Sequence, residues 1–239
     1  MSVLQLPAPV LADHDGYVVL RDDLLEGGTK VRVAVDCLLD EPEWDEWVFA
    51  GPSQGYAQLA LAMGCEALGK RATFFTARRN ERTYITEAAL RHGLQLQEVD
   101  FERLNVVRKR ARDYIAATPG CAPLIPMGLY LPGMKPRLAA LCRSLPIEPA
   151  EVWVACGSGL LASSIQEAWP DADVNAVVCG MTPTEPDGRL ILWDAPEDFS
   201  QDARGPLPPY PSVRNYDAKI WRFVAEHARP GALVWNVGR

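Results

Sequence analysis

Short apolar runs alternate with longer amphipathic stretches along most of the chain, and that alternation predicts an α/β protein with a mainly parallel sheet. Residues 1–16 are proline-rich and read as irregular, and the apolar run YVVL at 17–20 is a short strand ahead of a turn at Arg21, Asp22 and Asp23. The run VRVAVDCLL at 31–39 is too short to fix its own period and is taken as a helix because a strand comes next. That strand is WVFA at 47–50, with the unbroken apolar character of a buried element, and GPSQG is the loop leaving it. Residues 56–68 carry alanine and leucine at helical packing positions, and ATFFT at 72–76 completes a crossover unit. The same order recurs downstream. A helix over 85–92 stops at Gly93, a strand covers 94–99, and a charged helix over 101–117 is ended by Pro119 and Gly120. Beyond it come a strand at 124–127, a helix at 135–144, a strand at 151–155, a glycine loop at 157–159, a helix at 160–169 and a strand at 174–179. Proline, aspartate and glycine crowd 182–211 and indicate loops around one short strand at 190–193, before a closing helix at 217–227 and strand at 232–237.

At 239 residues the chain is long for one compact domain, so one large domain or two interleaved lobes both fit its length. A hydrophobic share of 48% with 23% charged residues excludes disorder. The formal charge of -7 argues against binding nucleic acid through overall charge and leaves a local basic patch as the way to do so. Cys37, Cys65, Cys121, Cys142, Cys156 and Cys179 form no CxxC pair, and His14, His92 and His227 are not paired at helical spacing. Neither a metal site nor a disulfide framework is expected. The start of the chain lacks the basic region and unbroken apolar run of a secretory signal, and no segment reaches membrane-spanning length without proline or charge. The expected home is a reducing cytoplasm, with no membrane partner.

Three stretches carry candidate chemistry. In EGGTKVR at 26–32, Lys30 stands just behind two glycines, which admit unusual backbone conformations and leave room for a flat ligand. An amine held there condenses with an aldehyde once burial or a neighbouring cation lowers its pKa. The plain alternative is a polar turn with a solvated lysine. In GPSQGYAQ at 51–58, the Ser53 hydroxyl and the loop N–H groups would face an anion at a helix start, or Ser53 would simply cap the helix. In ACGSGLLAS at 155–163, a strand, a glycine loop and a helix form a cradle suited to phosphate. No GK[ST] comes after the loop and the full GxGxxG spacing is missing, so it is neither a Walker motif nor a dinucleotide fingerprint.

In this order, Lys30, Ser53 and the 157–159 loop resemble the fold type II pyridoxal-phosphate enzymes, the tryptophan synthase β-like superfamily. RDDLLEGGTKVR is most similar to the stretch around the Schiff-base lysine of the 1-aminocyclopropane-1-carboxylate deaminase and D-cysteine desulfhydrase branch. FAGPSQGYAQLALAMGCEALGKRATFFT resembles that family's substrate-carboxylate loop and helix, and ACGSGLLAS its phosphate cup. Tyr216-Asp217-Ala218-Lys219 and PGALVWNVG are similar to the branch's Tyr-Glu-Gly-Lys and closing strand, so that the resemblance spans about 17–239. It implies two interleaved lobes, each with a mainly parallel sheet flanked by helices: a larger coenzyme-binding lobe from 1–34 and 124–239 and a smaller lobe from 35–123. It also implies a homodimer.

Carried over by position, the resemblance makes pyridoxal 5'-phosphate the cofactor and Lys30 its anchor and proton carrier. Gly157, Ser158, Gly159 and Leu160 would hold the phosphate, and Asp217 would contact the pyridine nitrogen. Ser53, Gln54, Gly55 and Tyr56 would bind the substrate carboxylate, and Tyr216 would act as an acid-base or positioning group. A carboxylate at the ring nitrogen keeps it protonated and makes the ring a strong electron sink. The implied activity is that of a lyase working on a small amino acid-like substrate through an external aldimine, by decarboxylation or by deprotonation and elimination. Without the other motifs, Tyr216-Asp217 reads as an ordinary helix start.

This chain departs from the family at several points. Gln54 and Gly55 stand where an asparagine beside the coenzyme hydroxyl is usual, and Leu160 where a threonine is common. The chain is also shorter than typical members, with most of the loss in 182–215, where Trp193 and Tyr210 are candidates to line the pocket. Arg78, Arg79, Arg82, Arg103, Arg108, Lys109, Arg110 and Arg112 form a basic cluster in the smaller lobe, either a solvated helix face or a contact for a polyanion. Compact enzymes of this type occur in bacteriophages that hypermodify thymine, so an amino-acid adduct in DNA, met through Arg108 to Arg112, is an alternative substrate. A coenzyme-free scaffold subunit and a nucleotide-binding α/β protein are the readings from other classes.

Overall fold

The computed structural model describes residues 4–100, 103–180, 183 and 188–239. The chain opens on a hairpin, β1 (Leu11–His14) with β2 (Tyr17–Arg21), where proline content suggests irregular backbone. Asp15 and Gly16 turn it with φ of 56° and 82°, the left-handed pair that a two-residue hairpin turn demands. After a single 3-10 turn at Asp22–Leu24, α1 (Gly28–Leu39) begins two residues before Lys30, so the lysine lies in the first turn of a helix. Next come β3 (Glu46–Ala50), α2 (Ala57–Leu68), β4 (Arg71–Ala77), α3 (Tyr84–Arg91), β5 (Gln95–Val99) and α4 (Leu104–Ala117). The first two positions of the charged helix expected over 101–117, residues 101 and 102, lie outside the described residues. The chain continues through α5 (Met134–Arg143), β6 (Glu151–Cys156), α6 (Leu160–Ala168), β7 (Asp173–Val178) and β8 (Ile191–Asp194). Part of the loop-rich stretch, 181–182 and 184–187, is likewise outside the described residues. A 3-10 turn at Asp217–Ile220 runs into α7 (Trp221–His227), and β9 (Leu233–Asn236) closes the chain.

The strand expected at 124–127 does not form. Only an isolated parallel bridge joins Ile125 to Phe49, because Pro123 and Pro126 have no N–H to give a ladder.

The chain divides into two compact units, one of Lys30–Met134 with the N-terminal residues to Leu6, the other of Pro7–Thr29 with Lys135–Arg239. In the first, β3, β4 and β5 make a three-stranded parallel sheet. All five residues of β3 are buried, as a parallel strand covered on both faces requires. One cover is α4, whose Val107 and Ala111, one helical turn apart, pack on Val48, Ala50 and Phe75 and leave its charged positions outward. Gly64 of α2 approaches α1 so closely that a Cβ would lie 2.8 Å from Leu38 Cδ1.

In the second unit six strands run in the order β1-β2-β9-β6-β7-β8, all neighbours parallel except the opening hairpin. Trp153 and Trp235 are the largest fully buried side chains of this sheet. The loop at the C-terminal end of β6 carries the candidate phosphate residues 157–160, which is where open parallel sheets place their ligands.

Candidate active site

The start of α1 is pinned just ahead of Lys30. Thr29 donates its backbone N–H to Val237 at 3.3 Å and its hydroxyl to Asp22 Oδ2 at 2.7 Å, and accepts the indole N–H of Trp235 at 2.8 Å. Gly27 and Gly28 lead into it with φ of 85° and 64°, backbone that a side chain would strain. Lys30 keeps some surface, yet protein surrounds its amine, and burial pushes the ammonium from 10.5 down to about 8. That is the condition a nucleophilic amine needs near neutral pH.

Gly159, in a left-handed conformation with φ 91°, caps α6, and Ser158 Oγ accepts the N–H of Leu160 at 3.5 Å. The 157–160 backbone therefore turns at the positive end of a nine-residue helix. Tyr216 is brought to this loop: its phenol donates to the carbonyl of Ala155 at 3.2 Å, and its ring meets Phe199 edge-on. Burial first, then the neighbouring Cys179, Cys156 and Asp217, hold the phenol well above 10. Its proton is tied to a carbonyl and hard to remove, which suits positioning better than proton transfer.

Asp217 is 2% exposed, and neither carboxyl oxygen has a hydrogen-bond partner of good geometry. Burial raises its pKa well above 3.8, the amides of Val237 and Gly238 pull the other way, and the charge of Asp23 adds to the rise. Asp23 is itself satisfied, gripped by Arg21 through two bonds of 2.7 Å and by Asn236 at 2.8 Å. An uncompensated buried carboxyl costs stability and persists where something else completes it.

In the first unit, Ser53 is 5% exposed and its hydroxyl has no partner among the described residues. It does not cap α2, which starts at Ala57 with Tyr56 as the preceding residue and no side-chain cap. Gln54, Gly55 and Tyr56 complete the loop, with Gly55 N–H closing a turn on Pro52. Tyr56 shares a hydroxyl contact of 2.8 Å with Tyr84.

Trp193 and Tyr210 belong to the second unit and the basic cluster to the first. Trp193 stacks on His227 and packs on Trp153, inside the second unit's core cluster. Tyr210 lies under the Arg21 guanidinium at 5.4 Å. In the basic cluster, Arg78 pairs with Asp100, Arg82 with Glu87 and Glu98, and Lys109 with Asp113. Arg108 is half-buried with Nη1 unpartnered, and burial together with the adjacent Arg112 lowers its pKa. The six cysteines are buried and form no disulfide; burial pushes the Cys65, Cys142 and Cys179 thiols to about 12 and those of Cys121 and Cys156 to about 11. Among the described residues no His, Cys, Asp and Glu cluster could hold a metal, and no helix is long and apolar enough to cross a membrane.

No family model matches the chain, and no curated protein matches its sequence. Solved structures do match. An ACC deaminase homologue superposes with a TM-score of 0.78 at 13% identity, over 93% of this chain and 84% of that one. Holo diaminopropionate ammonia lyase from Escherichia coli gives 0.67 at 12% identity, over 97% and 84%. Isoform 2 of threonine deaminase from Solanum lycopersicum, in its processed form, gives 0.61 at 13% identity, over 93% and 74%. The chain has the fold of the type II pyridoxal-phosphate enzymes.

Within this type II fold, sequence reasoning singled out the candidate residues and missed those hydrogen-bonded around them. Thr29 reads as a spacer between glycine and lysine, although its hydroxyl joins three elements. Gln58 sits in an alanine- and leucine-rich helix face, yet is fully buried and bonded to the Ser53 loop. A glutamine at a position whose helical neighbours are all apolar was the available signal.

Proposed function

We propose that this chain is a pyridoxal-phosphate-dependent lyase that breaks a bond at Cα of an amino acid-like substrate. The observation that carries the reading is Asp217: a buried carboxyl with both oxygens unsatisfied fits a protonated ring nitrogen, which would complete it and make it ionise. When bound, the coenzyme supplies an electron sink for the charge left at Cα. Lys30 would supply the amine that holds the coenzyme aldehyde, and as a free neutral amine it would take up and return a proton at Cα. The 157–160 backbone would hold the phosphate, and Tyr216, its proton held by Ala155, would fix the wall of the loop. The Ser53 hydroxyl, with the amides of Gln54, Gly55 and Tyr56, receives the substrate carboxylate. A carboxylate held in this way is not the leaving group, so deprotonation followed by elimination is favoured over decarboxylation.

The test is the absorbance spectrum of the full chain with and without added pyridoxal phosphate, followed by borohydride reduction and peptide mapping. A coloured protein that retains the coenzyme on residue 30 after reduction, and loses it in Lys30→Ala, supports the reading. A chain that takes up no coenzyme is the scaffold subunit instead.

A second reading, in which the amino acid-like group is borne on a DNA base, is favoured by α4, where Arg103, Lys109, Arg110 and Arg112 are exposed and Arg108 Nη1 lacks an acceptor. Its test is turnover of free amino acids against binding of modified DNA, with Arg110→Glu and Arg112→Glu weakening only the latter.

A further inference from the structure

Gln58 stands in the first turn of α2 with 0% exposure, and its amide spans two features that chain order does not bring together. Its Nε2 donates to the carbonyl of Ser53 at 2.6 Å and, more weakly, to that of Gly55 at 3.4 Å. Its Oε1 accepts the hydroxyl of Thr86 at 3.1 Å. Thr83 reaches the same Ser53 carbonyl at 2.9 Å, and its Oγ1 caps α3 by accepting the N–H of Thr86 at 3.2 Å. All five residues belong to the first unit.

The consequence lies in peptide planarity. In a trans peptide the C=O of one residue and the N–H of the next point in opposite directions. Two donors on the Ser53 carbonyl therefore fix the N–H of Gln54 facing the other way, out of the protein side of the loop. The weaker bond to Gly55 does the same for the N–H of Tyr56. Ser53 Oγ, left without a partner, belongs to the residue whose carbonyl is clamped.

We infer that Gln58, backed by Thr83 and Thr86, is a positioning residue that sets the Ser53–Tyr56 loop for a carboxylate. The inference rests on the proposed role of that loop. It goes beyond it by assigning the loop's anion selectivity to a buried amide that touches no ligand.

Gln58→Glu is close to isosteric and presents two acceptors to the Ser53 carbonyl, so it turns that peptide away; Thr83→Val removes the second donor. The experiment titrates the coenzyme-loaded full chain with L-alanine, D-alanine and ethylamine, following the coenzyme absorbance. Ethylamine carries the amine without the carboxylate. Gln58→Glu is expected to weaken alanine by about tenfold or more, the loss typical of a hydrogen bond to a charged group, while ethylamine binds as before. A variant that weakens both amines equally, or neither, overturns the positioning role. Ser53→Ala separates the two layers of the argument: loss of alanine selectivity in Ser53→Ala but not in Gln58→Glu sinks only the inference about Gln58. Retention in Ser53→Ala, or no response of the unaltered chain to alanine, sinks the carboxylate role of the loop and this inference with it.

Discussion

Thr29 donates its backbone N–H to the carbonyl of Val237 at 3.3 Å, and the amides of Val237 and Gly238 are the groups that pull on Asp217. One short piece of backbone at the end of β9 thus serves both the residue before the candidate Schiff-base lysine and the candidate partner of the ring nitrogen. Such placement on fixed elements is what a covalent coenzyme site needs, since small misplacement of reacting groups costs rate steeply.

Thr29→Val keeps the shape and removes the hydroxyl, leaving the buried indole N–H of Trp235 without its acceptor. The expected loss is about 2 kcal/mol of unfolding free energy, read as a lowered denaturant midpoint at unchanged slope. Slower capture of pyridoxal phosphate by Lys30 should accompany it; a variant as stable as the parent would mean that the two bonds of the Thr29 hydroxyl do not anchor α1.

Asp217→Asn should raise the stability of the coenzyme-free chain. The folded-state pKa of Asp217 lies above its ordinary 3.8, so between those values the folded chain carries a proton that the unfolded chain has lost. Stability therefore falls as pH rises through that window, and because neutral pH lies above 3.8 a penalty is present there. Asparagine never ionises and removes it. Thermal unfolding should show a higher midpoint for Asp217→Asn at pH 7 and convergence of the two proteins toward pH 3, while coenzyme affinity drops. A lower midpoint at pH 7 would show that Asp217 is compensated in the free chain.

Much of this fold was legible from patterning, because parallel strands buried on both faces leave unbroken apolar runs such as those at β3 and β6. The misses have local causes. The Asp15-Gly16 pair is a hairpin signal that proline-rich surroundings obscured, and the apolar character of residues 124–127 suggested a strand that Pro123 and Pro126 prevent. At the site, residue types were readable and their hydrogen-bond accounts were not. Nothing in the letters distinguishes a solvated helix-start aspartate from the unsatisfied carboxyl of Asp217, or a capping serine from the unpartnered hydroxyl of Ser53.

Lys30 should react with aldehydes with a midpoint near pH 8 in place of 10.5, since burial favours the neutral amine. Between those two values the unfolded chain binds a proton that the folded chain does not, so this group makes stability rise with pH across that window. Capture of pyridoxal phosphate followed by absorbance from pH 6.5 to 9.5 should trace the first effect. Lys30→Met should flatten the second in denaturant titrations. A capture midpoint above about 10 would place the amine in ordinary solvent.

Two left-handed glycines separate backbone strain from steric collision. Gly16, at φ 82°, has nothing within 4 Å of the position a Cβ would take, so Gly16→Ala should cost only the conformational penalty, about 1 kcal/mol. Gly180, at φ 73°, would place a Cβ 2.3 Å from the backbone N of Phe199. Phe199 cannot retreat easily, because Asn215 holds its carbonyl at 3.0 Å and Lys219 holds that of Asp198 at 2.8 Å. Gly180→Ala should therefore cost several times as much as Gly16→Ala, on the order of 3 kcal/mol or more, in denaturant unfolding. Since the Phe199 ring packs against Tyr216, the same variant should also weaken coenzyme retention, which Gly16→Ala should leave intact. Equal costs for the two alanines would show that the chain around Phe199 yields freely and does not brace Tyr216.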